Sequence, residues 1–223
     1  MAIPLDFLKR IPYFTGLNDR ELESIKNLFF EKTAERGELL VLEGDPAEEL
    51  YFVASGVVKV LKTSTEGKEQ ILSIVRPGES FNDVPVFDGG TNPASAQTMG
   101  AVVLYGIHKS DLKATIAQHP KLALNVSRVL ASRVRNLVSL VEDLSFKQVI
   151  GRVAKILLEN AGDGSGPKPR LTQQEMAAIA GTAREVVGRS LKALEEKGII
   201  RLERNRIVIK DKEALRQTMA APQ

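Results

Sequence analysis

The sequence predicts an α+β protein in three parts: an N-terminal antiparallel β-roll of the jelly-roll type, a long dimerisation helix and a C-terminal winged helix-turn-helix. Short strand-like runs separated by turn residues fill residues 36–108. A heptad pattern of apolar residues follows Pro120. Two short helical patterns meet at Gly181, and two short strand-like runs come after them. The predicted parts are residues 1–118, 119–146 and 147–223.

The β-roll prediction depends on turn signals at short intervals. The runs ELLVLEG (38–44) and LYFVASG (50–56) are rich in aliphatic and aromatic residues, and each ends at a glycine. Gly67 marks a hairpin between two further runs. Ahead of the roll, residues 17–30 have helical spacing, and Asn18 is suited to cap that helix.

Composition excludes several classes of protein. The chain has no cysteine, which excludes disulfides, thiolate-held iron–sulfur clusters and cysteine zinc sites. No other metal site is predicted. No apolar run is long enough to cross a membrane, no signal peptide is recognised, and we expect a cytoplasmic protein. We find no P-loop and no nucleophile–base pair with defensible spacing, so an enzyme is the least favoured interpretation.

Charge is distributed unevenly along the chain. Residues 1–146 contain 16 Lys and Arg against 19 Asp and Glu, whereas residues 147–223 contain 15 against 9. The first part therefore has a net charge of −3 and the second a net charge of +6. The basic C-terminal part is suited to a polyanionic partner.

The heptad pattern lies in the predicted long helix. Its apolar positions follow one another at steps of 4, 3, 4 and 3 residues, which favours a parallel homodimer over a helix packed on its own domain. These seam residues are Leu130, Val134, Leu137, Val141 and Leu144.

The two short helical patterns carry start and turn signals. Thr172 with Glu175 forms a capping box for the first helix. Gly181 can supply the positive φ of a tight turn. Thr182, with Glu185 three residues later, is predicted to cap the second helix. This order of signals predicts a helix-turn-helix.

The second of these helices has two distinct faces. Val187, Leu191 and Leu194 share one face and are expected to pack inward. The opposite face contains side chains suited to base edges in the major groove of DNA, with a glycine that permits close approach. This face comprises Arg184, Glu185, Gly188, Arg189 and Lys192. Beyond it, Arg204 and Arg206 flank a turn between two strand-like runs, as at the tip of a phosphate-contacting wing.

From about residue 12 to 215 the chain resembles the Crp–Fnr family of transcription factors, whose sensor is a cyclic-nucleotide-binding-like β-roll. REVVGR (184–189) is similar to that family's RETVGR recognition helix, and residues 43–81 also match. The resemblance implies a bacterial regulator that binds double-stranded DNA as a homodimer and contacts RNA polymerase. By resemblance, Arg184, Glu185 and Arg189 recognise a palindromic TGTGA-like site. The implied phosphate contacts are Thr172, Gln174 and Thr182.

The resemblance fails at the family's phosphate cassette, which has a glutamate for the ribose and an arginine for the cyclic phosphate. Here Asp83 stands at the glutamate position and Pro93 at the arginine position. An anionic phosphate needs a charge-assisted donor, and proline lacks even a backbone N–H. We therefore predict weak or no cyclic-AMP binding. Asn82, Asp83 and Ser95 remain the candidate effector pocket.

Two alternative functions stay open at this point. A histidine-ligated haem would make the chain a gas sensor of the same family, with His108 and His119 as the available histidine ligands. We prefer the interpretation that both histidines are surface residues at junctions between elements. β-rolls of this type also serve as ligand-binding regulatory modules of enzymes or channels without a DNA role. The helix-turn-helix argues against that second alternative.

Overall fold

The N-terminal half of the protein is a β-roll made of two antiparallel sheets. In the computed structural model, which describes residues 3–160, 171–204 and 206–220, the chain divides into two compact units. The first is Met1–Lys62 with Leu72–Asn136, and the second is Thr63–Ile71 with Leu137–Gln223. The roll's strands are β1 (Phe29–Ala34), β2 (Leu39–Val41), β3 (Glu49–Ser55), β4 (Val58–Thr63), β5 (Glu69–Val75), β6 (Ser80–Phe81), β7 (Ser95–Thr98) and β8 (Val102–His108).

The two sheets have the strand orders β1-β8-β3-β6 and β2-β7-β4-β5. In the first sheet Phe52 of β3 pairs with Tyr105 of β8, and in the second Val60 of β4 pairs with Ala96 of β7. The antiparallel roll predicted from the turn signals is therefore confirmed.

Side chains of β3 alternate between two apolar clusters, one on each face of the first sheet. Tyr51 and Val53 point into a cluster that also takes residues from the second sheet, such as Val58 and Ala96, so this cluster fills the space between the sheets. Phe52 points to the other face, into a cluster formed with the helices. Successive side chains of a strand point to opposite faces of its sheet, and both faces of this sheet are covered, so β3 contributes to both clusters.

Helices cover the outer face of the first sheet. They are α1 (Leu5–Arg10), α2 (Asp19–Lys26), α3 (Asp83–Asp88), α4 (Lys109–Gln118) and the long α5 (Lys121–Phe146), together with a 3₁₀ turn at Pro12–Phe14. The predicted capping box of α2 is present, since Asn18 accepts from the backbone N–H of Glu21 and the Glu21 side chain accepts from that of Asn18. Leu22 and Ile25 are the buried residues of α2.

The second unit contains a small helical domain with a two-stranded wing. Its elements are α6 (Val149–Asn160), α7 (Gln173–Ala180), α8 (Arg184–Glu196), β9 (Ile200–Glu203), β10 (Arg206–Ile209) and α9 (Lys212–Ala220). One apolar cluster joins them, with Val153, Met176, Leu191, Ile200 and Leu215 as members from five of the six elements. The glycine-rich sequence GDGSGP (162–167), which predicts a loop, lies outside the described residues.

The predicted fold class is confirmed, with an antiparallel roll, a long helix and a winged helix-turn-helix in that order. Within the described ranges no helix is long and apolar enough to cross a membrane. Nor do three or more His, Asp or Glu side chains of the described residues converge where a metal ion could bind.

Candidate nucleic-acid interface

Helix α8 has one buried and one exposed face, as its spacing predicts. Val187 and Leu194 have no exposed surface and Leu191 has almost none, and all three belong to the core of the domain. Arg184, Glu185, Arg189 and Lys192 are exposed. The apolar face anchors the helix, and the charged side chains stand at its surface.

The helices on either side of the turn begin in different ways. Thr172 caps α7 in a complete capping box with Glu175, as predicted. Gly181 ends α7 at φ 63°, the left-handed conformation expected of it. The prediction that Thr182 caps α8 is wrong: α8 begins at Arg184, Ala183 occupies the N-cap position, and no side chain caps this helix. The backbone N–H of Thr182 instead donates to the carbonyl of Ala177 and continues the turn.

The predicted phosphate contacts lie at the edges of this motif. Thr172 and Gln174 are exposed at the first turn of α7, and Thr182 is half-buried in the turn. The Thr172 hydroxyl oxygen accepts from the backbone N–H of Glu175, which leaves its own proton available for donation. Helix N-termini and hydroxyl donors are typical partners of phosphate oxygens.

Gly188 lies in the middle of the exposed face of α8. A Cβ atom placed there would meet Gln173 Oε1 of α7 at 3.8 Å, which is ordinary van der Waals contact. The protein itself therefore has room for a side chain at this position. Sequence reasoning missed Gln173, whose proximity to Gly188 depends on how α7 crosses α8.

The wing contains the two predicted basic residues. Arg204 and Arg206 are exposed, and Arg206 forms an ion pair with Glu203. Hydrogen bonds from Arg206 and Arg201 lower the pKa of the Glu203 carboxyl below its usual value. The wing turn therefore combines an acceptor with several cationic side chains.

The predicted seam on α5 is only partly exposed. Val134, Leu137 and Val141 are exposed by 60%, 47% and 63% of their surface. Leu130 is half-buried and packs against the core of the first unit, and Leu144 is half-buried as well. Val138, which the heptad pattern did not include, is exposed by 62%. The exposed apolar face is thus shifted towards Val134, Val138 and Val141.

The candidate effector pocket centres on a buried ion pair. The Asp83 side chain has no exposed surface and pairs with Arg133 of α5. Ser80 Oγ donates to Asp83 Oδ1 at 2.9 Å, and the Tyr13 hydroxyl donates to the same oxygen. Arg133 also donates to the backbone carbonyl of Ser80 at 2.5 Å. Burial, together with the charge of Asp83, raises the pKa of Tyr13, so its hydroxyl stays a donor.

The structure places the other two pocket residues in separate contacts. Asn82 adopts a left-handed conformation with φ 71°, and its side-chain amide donates to the carbonyl of Glu49 at 2.8 Å. Ser95 Oγ accepts from the backbone N–H of Glu43 at 3.0 Å. At Pro93, the backbone carbonyl accepts from Lys62 Nζ at 3.2 Å. All three predicted residues are therefore engaged within the protein.

The two histidines lie beside different carboxylates. His108 Nδ1 is 3.7 Å from Glu49 Oε1, and His119 Nδ1 is 3.6 Å from Glu21 Oε1. His108 is exposed at the end of β8, and His119 follows α4 directly.

Comparison with known proteins matches both halves of the chain. The family model of the cyclic nucleotide-binding domain matches residues 31–119, and that of the Crp-like helix-turn-helix domain matches residues 151–218. The fold is similar to that of FixK2 from Bradyrhizobium japonicum, with a TM-score of 0.76, 24% identity, and coverage of 86% of this chain and 98% of that one.

Curated relatives match nearly the whole length. The cyclic AMP receptor protein of Thermus thermophilus is 35% identical over 87% of this chain and 90% of its own. A CRP-like cAMP-activated global transcriptional regulator of Mycobacterium tuberculosis is 33% identical over 94% and 97%. The solved Thermus thermophilus catabolite activator protein, at 33% identity, covers 93% of this chain and 98% of that one with a TM-score of 0.55. This chain belongs to the CRP/FNR family of transcription regulators, which bind DNA through a helix-turn-helix.

Proposed function

We propose that this regulator is a homodimer that recognises a palindromic TGTGA-like DNA site and that cyclic AMP does not gate it. The observation that carries the proposal is the exposed face of α8, where Arg184, Glu185 and Arg189 surround Gly188. Behind this face lies a firmly packed apolar core. The surrounding residues 147–223 have a net charge of +6, which favours a polyanion.

The side chains of α8 match the chemistry of base edges. An arginine can donate two hydrogen bonds to O6 and N7 of guanine, and a glutamate can accept one from N4 of cytosine. Arg184, Glu185 and Arg189 are exposed near the N-terminal half of the helix, where recognition helices contact bases. Thr172, Gln174, Thr182, Arg204 and Arg206 would hold the phosphates on either side.

A second copy of the chain is the proposed partner of α5. Val134, Val138 and Val141 form an exposed apolar face that is costly to leave in water. Their spacing of 4 and 3 residues is that of a coiled-coil seam, which supports a parallel pairing of two identical helices. Such a pair supplies the two-fold symmetry that a palindromic site requires.

The contacts of Asp83 argue against gating by cyclic AMP. This carboxylate, which would accept the ribose hydroxyl, is buried and already receives hydrogen bonds from Tyr13, Ser80 and Arg133. At the phosphate position Pro93 offers neither a cation nor an N–H. Lys62, whose Nζ donates to the Pro93 carbonyl, already pairs with Glu43, so an anion at this position would have to displace Glu43 to gain a charge-assisted donor. As a member of its family, the regulator is also expected to contact RNA polymerase in the cytoplasm.

Fluorescence anisotropy with labelled duplexes tests the DNA proposal. Two TGTGA-like half-sites placed one helical turn apart should bind far more tightly than a scrambled duplex at physiological salt, and affinity should fall steeply as salt rises. Equal affinity for both duplexes would overturn the proposal. Calorimetric titration with cyclic AMP, in parallel, should give no binding heat at micromolar ligand.

Arg189→Ala separates base recognition from phosphate contact. The variant should lose about 1–3 kcal/mol of binding free energy and relax preference at one base pair of each half-site. Arg216→Ala is the matched control, since Arg216 is an exposed arginine of α9 paired with Glu213. A uniform loss across all sequences would show that Arg189 touches only phosphate.

A further inference from the structure

Arg152 of α6 joins two helix ends within the second unit. Its Nε donates to the carbonyl of Ala180, the last residue of α7, at 2.7 Å. Its Nη1 donates to the carbonyls of Lys147 and Asp143, at 2.5 Å and 3.4 Å. Asp143 lies in the last turn of α5, and Lys147 follows that helix directly. One guanidinium therefore bridges the end of α5 and the end of the first helix of the helix-turn-helix.

The chemistry of helix ends explains why an arginine suits this place. The last four carbonyls of a helix lack partners within it and carry partial negative charge, which a nearby cation stabilises. The guanidinium is planar and holds its donors at fixed angles, so contacts with two carbonyl groups fix their relative placement. Burial lowers the pKa of Arg152, whereas the charge of Asp143 opposes that effect. A lysine at this position would have a single flexible ammonium group.

A second contact links the same two segments. A Cβ atom on Gly181 would lie 2.7 Å from Leu144 Cδ2, so the turn after α7 packs closely on the last turn of α5. The carboxylate of Asp143 also pairs with Lys155 of α6. The end of α5 is thus held to the turn that immediately precedes the recognition helix α8.

We infer that Arg152 is a positioning residue that fixes the orientation of α8 relative to the end of α5 and thereby sets the half-site spacing that the regulator accepts. The inference rests on the proposed homodimer and its palindromic site. If α5 pairs with its copy, the placement of each recognition helix relative to α5 determines the distance between the two. Loosening the bridge should therefore affect binding to paired half-sites without affecting binding to one.

The test compares Arg152→Gln and Arg152→Lys with the wild type on two sets of duplexes. One duplex carries a single half-site, and the other set carries two half-sites whose spacer is lengthened or shortened one base pair at a time. Arg216→Gln is the matched control, because it removes an exposed guanidinium from the same unit without touching a helix end.

The wild type and Arg216→Gln should bind best at one spacer length. Arg152→Gln should lose about tenfold in affinity at that spacer and less at others, which flattens the profile. Its affinity for the single half-site should stay within about twofold of the wild type. The affinity of Arg152→Lys for the paired half-sites should fall between those of the wild type and Arg152→Gln, since lysine keeps the charge and loses the planar geometry.

Two results would overturn the inference alone, and a third would overturn the proposed palindromic site as well. An unchanged spacer profile in Arg152→Gln would show that the bridge does not set spacing. An equal loss on single and paired half-sites, with a lower melting temperature, would show that Arg152 only stabilises the domain. A wild type with no spacer preference would overturn the proposed palindromic site itself, and the positioning role with it.

Discussion

Substitution of Gly188 by alanine should change stability and DNA binding in opposite directions. Gly188 lies on the exposed face of α8 between residues that we propose to contact bases. Apart from the backbone of α8 itself, a Cβ there would meet, among the described residues within 4 Å, only Gln173 Oε1 at 3.8 Å. The folded protein thus accommodates the methyl group without a clash.

The two expected magnitudes come from different physical effects. Alanine is favoured over glycine in a helix interior by about 1 kcal/mol, so the free energy of unfolding should rise by up to that amount. On DNA the methyl group would hold α8 away from the base edges. Losing one bidentate base contact costs about 1–3 kcal/mol, which is an increase in Kd of about 5- to 150-fold.

Urea unfolding and anisotropy on the paired half-sites measure the two effects separately. Gly100→Ala is the matched control, because a Cβ at Gly100 in the β-roll meets nothing within 4 Å among the described residues. This control should leave DNA affinity unchanged. If Gly188→Ala binds as tightly as the wild type, α8 does not approach the bases closely at this point, and the proposed recognition face is wrong.

Three further changes test other parts of the structure. Arg133→Met leaves the buried Asp83 carboxylate without its cation and should cost about 3–5 kcal/mol of unfolding free energy. Adding Asp83→Asn to this variant should recover most of that loss in urea unfolding. If the losses of the two single variants simply add in the double variant, the pair is not coupled. Val134→Glu places a charge on the proposed seam and should shift the dimer towards monomer in light scattering, whereas an unchanged mass would exclude that face. Burial alone would raise the pKa of Asp143, but its ion pairs with Lys147 and Lys155 lower it below the usual value. The contribution of the charged Asp143 to the unfolding free energy is therefore present above about pH 4 and is lost as pH falls through the folded-state pKa. Asp143→Asn should therefore flatten the fall in unfolding free energy on acidification, and an unaltered pH profile would contradict this.

The sequence predicted those features that depend on local spacing. The two faces of α8 follow from a period of 3.6 residues, and Val187 and Arg189 lie where that period places them. The capping boxes at Asn18 and Thr172 each span only four residues of sequence, from the N-cap residue to the glutamate at N3. Gly181 has the positive φ that a tight turn requires.

Features that depend on contacts between distant residues could not be predicted in this way. Asp83 and Arg133 are separated by 50 positions, and neither has a spacing signal that pairs it with the other. The contact of Gln173 with Gly188 depends on the crossing of two helices. The prediction that Thr182 caps α8 failed because the turn extends one residue further and Ala183 takes the N-cap position.

The contacts of Asp83 also restrict what could act as an effector at this site. Any molecule that separates Asp83 from Arg133 leaves a carboxylate with no exposed surface without its cation, at a cost of several kcal/mol. A ligand whose own anionic group lies beside Asp83 adds a second negative charge and makes this cost larger, because like charges repel strongly where water is excluded. A molecule that brings its own positive group can take the place of Arg133 and keep the charge of Asp83 balanced. While Asp83 and Arg133 stay paired, the site therefore favours a neutral or cationic ligand over an anionic one beside Asp83.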